Sequence, residues 1–191
     1  MFVHTVRCPL SASLSRLLLG LLWLGLTLGS LAALGALPAL SATPALVGIE
    51  TGLPLPRFVS LKAGKVNVRV GPSRSHPVLW VYQRKGMPVE VIAEFEHWRR
   101  IRDADGYIGW IFHSLLDGKR TAVVKAMGDN ETMSFHATPD VAAEVLAAAE
   151  PGVVVRVESC QIRWCLVGAD GYAGWSLKEY LWGIYPEESF E

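Results

Sequence analysis

Histidine, cysteine and acidic side chains are the ones through which this chain could catalyse a reaction or bind a metal. The 191-residue sequence has five histidines, and they share neither a metal-ligand spacing nor an HExxH run. It contains no Gly-x-Ser-x-Gly nucleophile elbow and no glycine-rich phosphate loop. We therefore expect no catalytic residue, no resident metal and no cofactor. The histidines are His4, His76, His97, His113 and His136.

Asp103 and Asp105 are close enough in sequence to act as paired carboxylates or calcium ligands. They directly precede Gly106 in a predicted turn, however, and aspartates in turns commonly bond to their own backbone. We interpret both as turn residues.

Cys160 and Cys165 lie on either side of a short turn, and a third cysteine, Cys8, is near the N-terminus. If Ile162-Arg163 is a two-residue hairpin turn, the two cysteines form a non-hydrogen-bonded cross-strand pair with Cα atoms about 4.5 Å apart. That separation is at the short end of the disulfide range. A redox pair is usually Cys-x-x-Cys, and a zinc site needs more ligands than one histidine adds. We predict a structural Cys160–Cys165 disulfide, which an exported compartment permits.

The elements that must position these residues include a hairpin that occurs twice. Trp98–Arg102 is followed by Asp105–Trp110, and Trp164–Val167 is followed by Asp170–Trp175; both second segments read Asp-Gly-Tyr-x-Gly-Trp. Asp-Gly between apolar runs predicts a tight turn joining two strands, because such turns need a positive φ. The second turn is one residue shorter.

The repeat extends beyond the hairpin. Gly86 and Trp98 are 12 positions apart, as are Gly152 and Trp164, which sets the two copies 66 residues apart. In this register Cys160 and Cys165 correspond to Glu94 and Arg99. We therefore expect an opposite-charge cross-strand pair in the first copy where the second has its disulfide.

Short β-rich runs separated by turns fill the first copy and predict an all-β fold, a small barrel or sandwich. Strands are expected over 58–61, 66–70, 78–82 and 87–94, before the hairpin, with one turn of tight helix within 111–116.

The second copy departs from this pattern near its start. Residues 141–149 are Ala-rich and locally favour a capped helix. The repeat register instead aligns residues 144–149 with the strand predicted over 78–82. We expect a strand here because tertiary context overrides helix propensity over so short a stretch. The same register aligns Phe135 with Arg69, so the second copy lacks the polar residues that the first copy has there.

Residues 1–41 have the order of a secretory signal, with Arg7 and Arg16 followed by an almost unbroken Leu, Gly and Ala run over 17–40. The alternative is an uncleaved inner-membrane anchor, because 24 residues can span a bilayer of about 30 Å. Either reading exports the rest of the chain to the periplasm or cell envelope, with membrane contact only through this segment. Residues 42–56 are rich in Pro and Leu and predict an extended linker.

The charge balance argues against nucleic acid as a partner. The 18 Lys and Arg are matched by 18 Asp and Glu, and they form no basic stripe.

One set of motifs runs through the first copy in a fixed order: Val66-Asn67-Val68-Arg69-Val70-Gly71-Pro72-Ser73, Gly86, Trp98, Gly106, Gly109-Trp110 and Leu115-Leu116. This set resembles a known family, the bacterial SH3-like (SH3b) domain. The tandem is similar to two-copy SH3-domain proteins of bacterial cell envelopes. The resemblance implies two strongly bent β-barrels, over 57–120 and, in degenerate form, over 121–188 with an extension to 191. It also implies a non-catalytic module that binds cell-wall peptide, peptidoglycan or an envelope protein.

Aromatic and polar residues of the first copy are the candidate ligand contacts. They are Asn67, Arg69, Trp80, Tyr82, Trp98 and Tyr107. A second set is expected to shape turns and core: Gly86, Gly106, Gly109, Trp110, Gly152, Trp164, Gly171, Gly174 and Trp175. Leu181–Pro186 is expected to cover a sheet edge or the seam between the copies. Two other functions stay open, a purely structural scaffold or oligomerisation module and an enzyme with an unrecognised site.

Overall fold

A computed structural model describes residues 46–126, 128 and 132–191. The expected leader over 1–41 lies outside the described residues. No helix within the described ranges is long and apolar enough to span a bilayer.

The first of two antiparallel sheets has seven strands, and a one-turn 3₁₀ helix at His113–Leu115 precedes the last of them. Its strands are β1 (Arg57–Leu61), β2 (Val66–Arg69), β3 (Val78–Tyr82), β4 (Pro88–Phe95), β5 (Trp98–Arg102), β6 (Ile108–Phe112) and β7 (Leu116–Asp117).

The second sheet repeats this plan, with a 3₁₀ helix at Lys178–Tyr180. Its strands are β8 (Thr121–Val124), β9 (Met133–His136), β10 (Val145–Ala149), β11 (Val154–Cys160), β12 (Trp164–Ala169), β13 (Tyr172–Leu177) and β14 (Leu181–Trp182). We call β1–β7 the first domain and β8–β14 the second domain.

The two sheets have the same strand order once each strand is matched with its counterpart. The orders are β3-β2-β6-β5-β4-β1-β7 and β10-β9-β13-β12-β11-β8-β14. The prediction of an all-β tandem duplication is therefore confirmed. The expectation of closed barrels is not met, because in the described chain each sheet ends in two edge strands, β3 and β7 or β10 and β14.

The segment 145–149 is a strand, as the repeat register predicted, because β9 pairs with it as β2 pairs with β3. Near β9 the predicted register is one residue off. Arg69 pairs with Trp110, and the equivalent pair in the second domain is His136 with Trp175. His136, and not Phe135, therefore takes the place of Arg69.

Alternation along β2 and β9 builds the two cores, because side chains point to opposite faces in turn. Val66 and Val68 are fully buried in the first domain, and Met133 and Phe135 take their places in the second. The first core comprises Leu61, Val66, Val68, Val89, Val91, Ile101 and Ile111. The second comprises Ala122, Val124, Met133, Phe135, Ala149, Val155, Val157, Cys160, Cys165, Val167, Leu181 and Ile184.

The two hairpin turns differ in length as predicted. In the first, Gly106 donates to the Asp103 carbonyl and alone has a positive φ, 86°. In the second, Asp170 and Gly171 form the two-residue loop with φ of 51° and 87°. Positive φ at both central residues is typical of the type I′ turn that Asp-Gly favours.

The segment ahead of β1 is not the extended linker that its prolines suggest. Leu46 and Leu55 are hydrogen bonded, and Gly48 and Leu53 are joined in the same way, so the chain doubles back as a compact loop. We call residues 46–55 the N-terminal loop.

The C-terminal extension covers the seam between the domains. Phe58 of β1 packs against Trp182 and Tyr185, with ring centroids 5.0 and 4.6 Å apart. The Tyr185 hydroxyl also donates to Glu90 Oε1 at 2.9 Å, and Arg102 binds the other Glu90 oxygen. These contacts join the two sheets through one aromatic cluster and one shared carboxylate.

Candidate functional site

A groove of about 390 Å³ on the first domain brings together three of the predicted ligand contacts. Asn67 and Arg69 reach it because β2 buries Val66 and Val68 on its other face. The groove is lined by Lys65, Asn67, Arg69, Arg74, Trp98, Phe112, Ser114 and Leu115.

The aromatic wall of this groove is formed by β5 and β6. Trp98, only 7% exposed, stands edge-on to Phe112 with ring centroids 5.4 Å apart. The Arg74 guanidinium lies 5.4 Å from the Phe112 ring centroid, within cation–π range. Phe112 was absent from the predicted set, although its alternation with buried Ile111 marks it as an outward-facing aromatic residue.

Arg69 holds the loop that borders the groove. Its Nη1 donates to the His76 carbonyl at 2.6 Å. Gly71 is buried beneath the His76 ring, and a Cβ at that position would overlap the imidazole. The Asn-x-Arg-x-Gly run therefore shapes the loop as well as lining the groove.

The charged side chains that line the groove are all cationic. Lys65, Arg69 and Arg74 line it, and no acidic side chain does. Cationic side chains beside an aromatic wall suit a ligand that carries carboxylates next to apolar atoms.

Trp80, Tyr82 and Tyr107 lie away from this groove. Trp80 and Tyr82 pack against the first core, and the Trp80 ring centroid is 6.1 Å from that of Tyr107. The Tyr82 hydroxyl donates to Asp103 Oδ2 at 3.0 Å. Burial raises the pKa of the Tyr82 hydroxyl, and the negative Asp103 raises it further, so Tyr82 is a structural hydrogen-bond donor. Trp80 and Tyr82 are turned toward the core on β3, whereas Tyr107 is 65% exposed, and none of the three lines the groove.

Glycine takes the inward position next to each hairpin tryptophan. A Cβ on Gly109 would overlap Val68 Cγ1, and one on Gly174 would lie 2.9 Å from the His136 carbonyl oxygen. These glycines let β6 and β13 approach β2 and β9. Trp110 and Trp175 consequently point outward, half-buried and outside both cores, contrary to the expectation of core packing.

Two further glycines lie in turns of the two domains. Gly86 and Gly152 have φ of 80° and 84° in equivalent turns ahead of β4 and β11. Trp164 is half-buried at the equivalent of Trp98.

The second domain replaces the arginine of the groove with a histidine. His136 Nδ1 lies 3.2 Å from the Ala143 carbonyl oxygen, just as Arg69 binds a carbonyl seven residues further along. The His136 ring also packs edge-on against Trp164, with centroids 5.5 Å apart. The cationic character of the first groove is therefore not repeated at this position.

Glu94 is the most highly bonded carboxylate of the first domain, and its side chain is fully shielded from solvent. It accepts from the Glu50 and Thr51 amides, the Thr51 hydroxyl and Arg57, and Arg99 Nε lies 3.3 Å away. Burial alone would raise the pKa of this carboxyl, but these donors outweigh it and lower the pKa to about 2. Glu94 thus secures the N-terminal loop to β4.

The predicted disulfide is present. Cys160 and Cys165 are bonded and paired across β11 and β12 with Cα atoms 4.1 Å apart, and Gln161 donates to the Trp164 carbonyl around the turn. Phe190 pairs with Cys160 through two backbone hydrogen bonds. The C-terminal tail therefore covers the end of β11, as the N-terminal loop covers the end of β4.

Among residues 46–126, 128 and 132–191, no three His, Cys, Asp or Glu side chains are grouped as a metal site. His97 and His113 stack with centroids 5.4 Å apart, without a third ligand in this part of the chain.

Comparison with known proteins identifies a domain family. A family model described as "Bacterial SH3 domain" matches residues 62–118 and 130–183. No curated protein sequence matches the chain.

Three solved structures are similar over part of their length, each with a TM-score of 0.30. NlpC2 from Trichomonas vaginalis is 13% identical, with 66% of this chain and 48% of that chain covered. NlpC1 from the same organism is 10% identical, with coverages of 71% and 48%. An NlpC/P60 family protein from Bacillus cereus is 11% identical, with coverages of 65% and 55%. The chain spans about half of each, and similarity this low carries no functional information.

Proposed function

Because this chain belongs to the bacterial SH3 domain family, we propose that it is a non-catalytic binding protein of the bacterial cell envelope. The first domain recognises cell-wall peptide through its groove, and the second domain rigidly extends the tandem.

The proposal rests on the charge of the groove, whose ionisable lining residues are all cationic. Lys65, Arg69 and Arg74 surround a cleft walled by Trp98 and Phe112. Cell-wall peptides carry carboxylates on an otherwise apolar and amide framework, which matches cations beside aromatic rings.

An exported location is supported by two further features. The Cys160–Cys165 disulfide is of a kind that persists in oxidising compartments and is rare in the cytosol. The basic and then apolar order of residues 1–41 is typical of an export signal.

Co-sedimentation with purified peptidoglycan sacculi tests the function. We expect the protein to sediment with sacculi and retention to fall as salt rises from about 0.05 to about 0.5 M, since exposed charges are then screened. Arg74→Glu and Lys65→Glu should each weaken binding roughly tenfold, the loss expected for one charge-assisted contact. The wild-type protein should bind sacculi with amidated carboxylates no more tightly than the Arg74→Glu variant binds untreated sacculi.

Lys119→Glu is the matched control, because Lys119 is 83% exposed and lies outside the groove. Equal loss in this control would indicate nonspecific attraction and contradict the proposal. Failure of the wild-type protein to bind sacculi would favour the structural scaffold, which the aromatic seam between the domains also supports. Turnover of a wall peptide would contradict the non-catalytic assignment.

A further inference from the structure

A pocket of about 300 Å³ opens in the second domain where the first domain is filled. It is lined by Phe135, Ala147, Ala148, Ala149, Glu150, Val153, Ala169, Asp170 and Tyr172. We propose that this pocket binds an alkylammonium group, such as the side chain of a lysine-like residue, independently of the groove on the first domain.

Two aromatic side chains and one carboxylate of the first domain are matched by alanine in the second, and the strand pairings show the two aromatic positions. Val68 faces Trp80 in the first domain, and Phe135 faces Ala147 in the second. Val66 faces Tyr82, and the equivalent pair is Met133 with Ala149.

The third replacement removes the partner of Tyr82. Asp103, which accepts the Tyr82 hydrogen bond, precedes the first hairpin turn, and Ala169 holds that position in the second. The hydrogen-bonded pair has therefore become a pair of alanines, Ala149 and Ala169, on the wall of one cavity. Because the second domain lacks both the hydroxyl and the carboxylate of this pair, neither group is left in the pocket without its hydrogen-bond partner. The volume that the two side chains occupy in the first domain is left open.

The aromatic residue on the rim has been kept. Tyr107 packs against Trp80 in the first domain, and its equivalent, Tyr172, lies 60% exposed beside the empty space. A side chain that enters the pocket would take the place of the missing indole and contact Phe135 and Tyr172.

Charge at the mouth selects the class of ligand. Glu150 and Asp170 line the pocket, and no Lys or Arg does. Arg84 of the first domain donates to the Gly152 carbonyl nearby but does not line the cavity. An alkyl chain ending in an ammonium group fits an apolar wall with acidic and aromatic side chains at its rim.

The test is an NMR titration of the isotope-labelled protein with n-hexylammonium, using n-hexanol and hexanoate as matched probes. We expect hexylammonium to shift the resonances of Ala147, Ala149 and Ala169, and to show intermolecular NOEs to their methyl groups. Hexanol should bind at least about threefold more weakly, the ratio expected for one exposed charge interaction, and hexanoate more weakly still.

Variants separate shape from charge. Ala147→Trp restores the indole of the first domain and should abolish the shifts, while Glu150→Gln with Asp170→Asn should remove the preference for hexylammonium over hexanol. Asparagine tolerates the positive φ of residue 170, so the turn is preserved.

Equal binding of the three probes, or NOEs to other residues only, would overturn the proposal. Absence of binding at millimolar probe would also overturn it. The NOEs locate the probe in the wild-type protein, so this result does not depend on the folding of Ala147→Trp. Failure here leaves peptidoglycan binding by the first domain unaffected, because none of these variants lies in its groove.

Discussion

Glu94 and Arg99 face each other across β4 and β5 at the position where Cys160 and Cys165 are bonded across β11 and β12. The repeat register predicted this equivalence, and the Arg99 Nε–Glu94 Oε1 distance of 3.3 Å confirms it. The same cross-strand site is therefore held covalently in one domain and by charge in the other.

The disulfide should stabilise the second domain by a modest amount. Replacing Cys160 and Cys165 by serine is expected to lower the free energy of unfolding by about 2 kcal/mol, because the bond closes a short loop in the unfolded chain. Urea unfolding followed by far-UV circular dichroism checks this value. The reduced wild-type protein should match the double serine variant, and insensitivity to reductant would contradict the prediction.

Ionised Glu94 should stabilise the first domain in a pH-dependent way. Its folded-state pKa of about 2 lies below the ordinary 4.5, so its contribution is complete above about pH 4.5 and is lost as the pH falls toward 2. Glu94→Gln should cost roughly 3 kcal/mol near pH 7, because each unit of pKa shift corresponds to about 1.4 kcal/mol.

Urea unfolding at several pH values measures this difference, which should shrink as the pH falls below about 4.5. Glu158→Gln is the control, since Glu158 is 49% exposed and only 3.9 Å from Arg156. A Glu94→Gln deficit that stays constant down to pH 2 would rule out the ionised carboxylate as its source.

Close approach of β6 to β2 should make Gly109 intolerant of a side chain. Gly109→Ala places a methyl group against Val68 Cγ1 and the Trp80 ring. We expect the free energy of unfolding to fall by about 1–3 kcal/mol, which is typical of overpacking. Thermal unfolding compares it with Gly118→Ala, where a Cβ meets nothing within 4 Å. Equal melting temperatures for the two variants would show that β6 can move away.

Aromatic packing at the seam should couple unfolding of the two domains. Phe58→Ala removes the contacts with Trp182 and Tyr185 and should cost about 3–5 kcal/mol, as for other buried Phe→Ala changes. Calorimetry should show one transition for the wild-type protein and two for the variant.

Phe95→Ala is the matched control, because Phe95 is 49% exposed and belongs to the same domain. It should leave a single transition. Two transitions in the wild-type protein would mean that the seam does not couple the domains.

The hairpin strands and the disulfide were predictable because Asp-Gly turns and two cysteines flanking a two-residue turn each restrict the backbone within a few residues. The duplication was predictable because the same Gly-to-Trp spacing recurs 66 residues later in the chain. The strand at 145–149 was predictable for a different reason, since the repeat register outweighs the helix propensity of its alanines.

The composition of the groove was only partly predictable. Alternation along β2 gives the outward direction of Asn67 and Arg69, but the inward direction of Trp80 and Tyr82 follows from their pairing with the buried Val68 and Val66, which the sequence does not show. The alanine-lined pocket was not predictable from either copy alone, because it depends on three replacements that meet only in the folded sheet. Counting equal spacings also missed the one-residue offset that sets His136 on Arg69.

The N-terminal loop determines where the protein can be truncated for expression. A recombinant fragment that starts at Arg57, where the first strand begins, discards the amides of Glu50 and Thr51 and uncovers the Glu94 carboxylate that they bind. Such a fragment would lack part of its own fold at that end, whereas one that starts at or before Leu46 retains it.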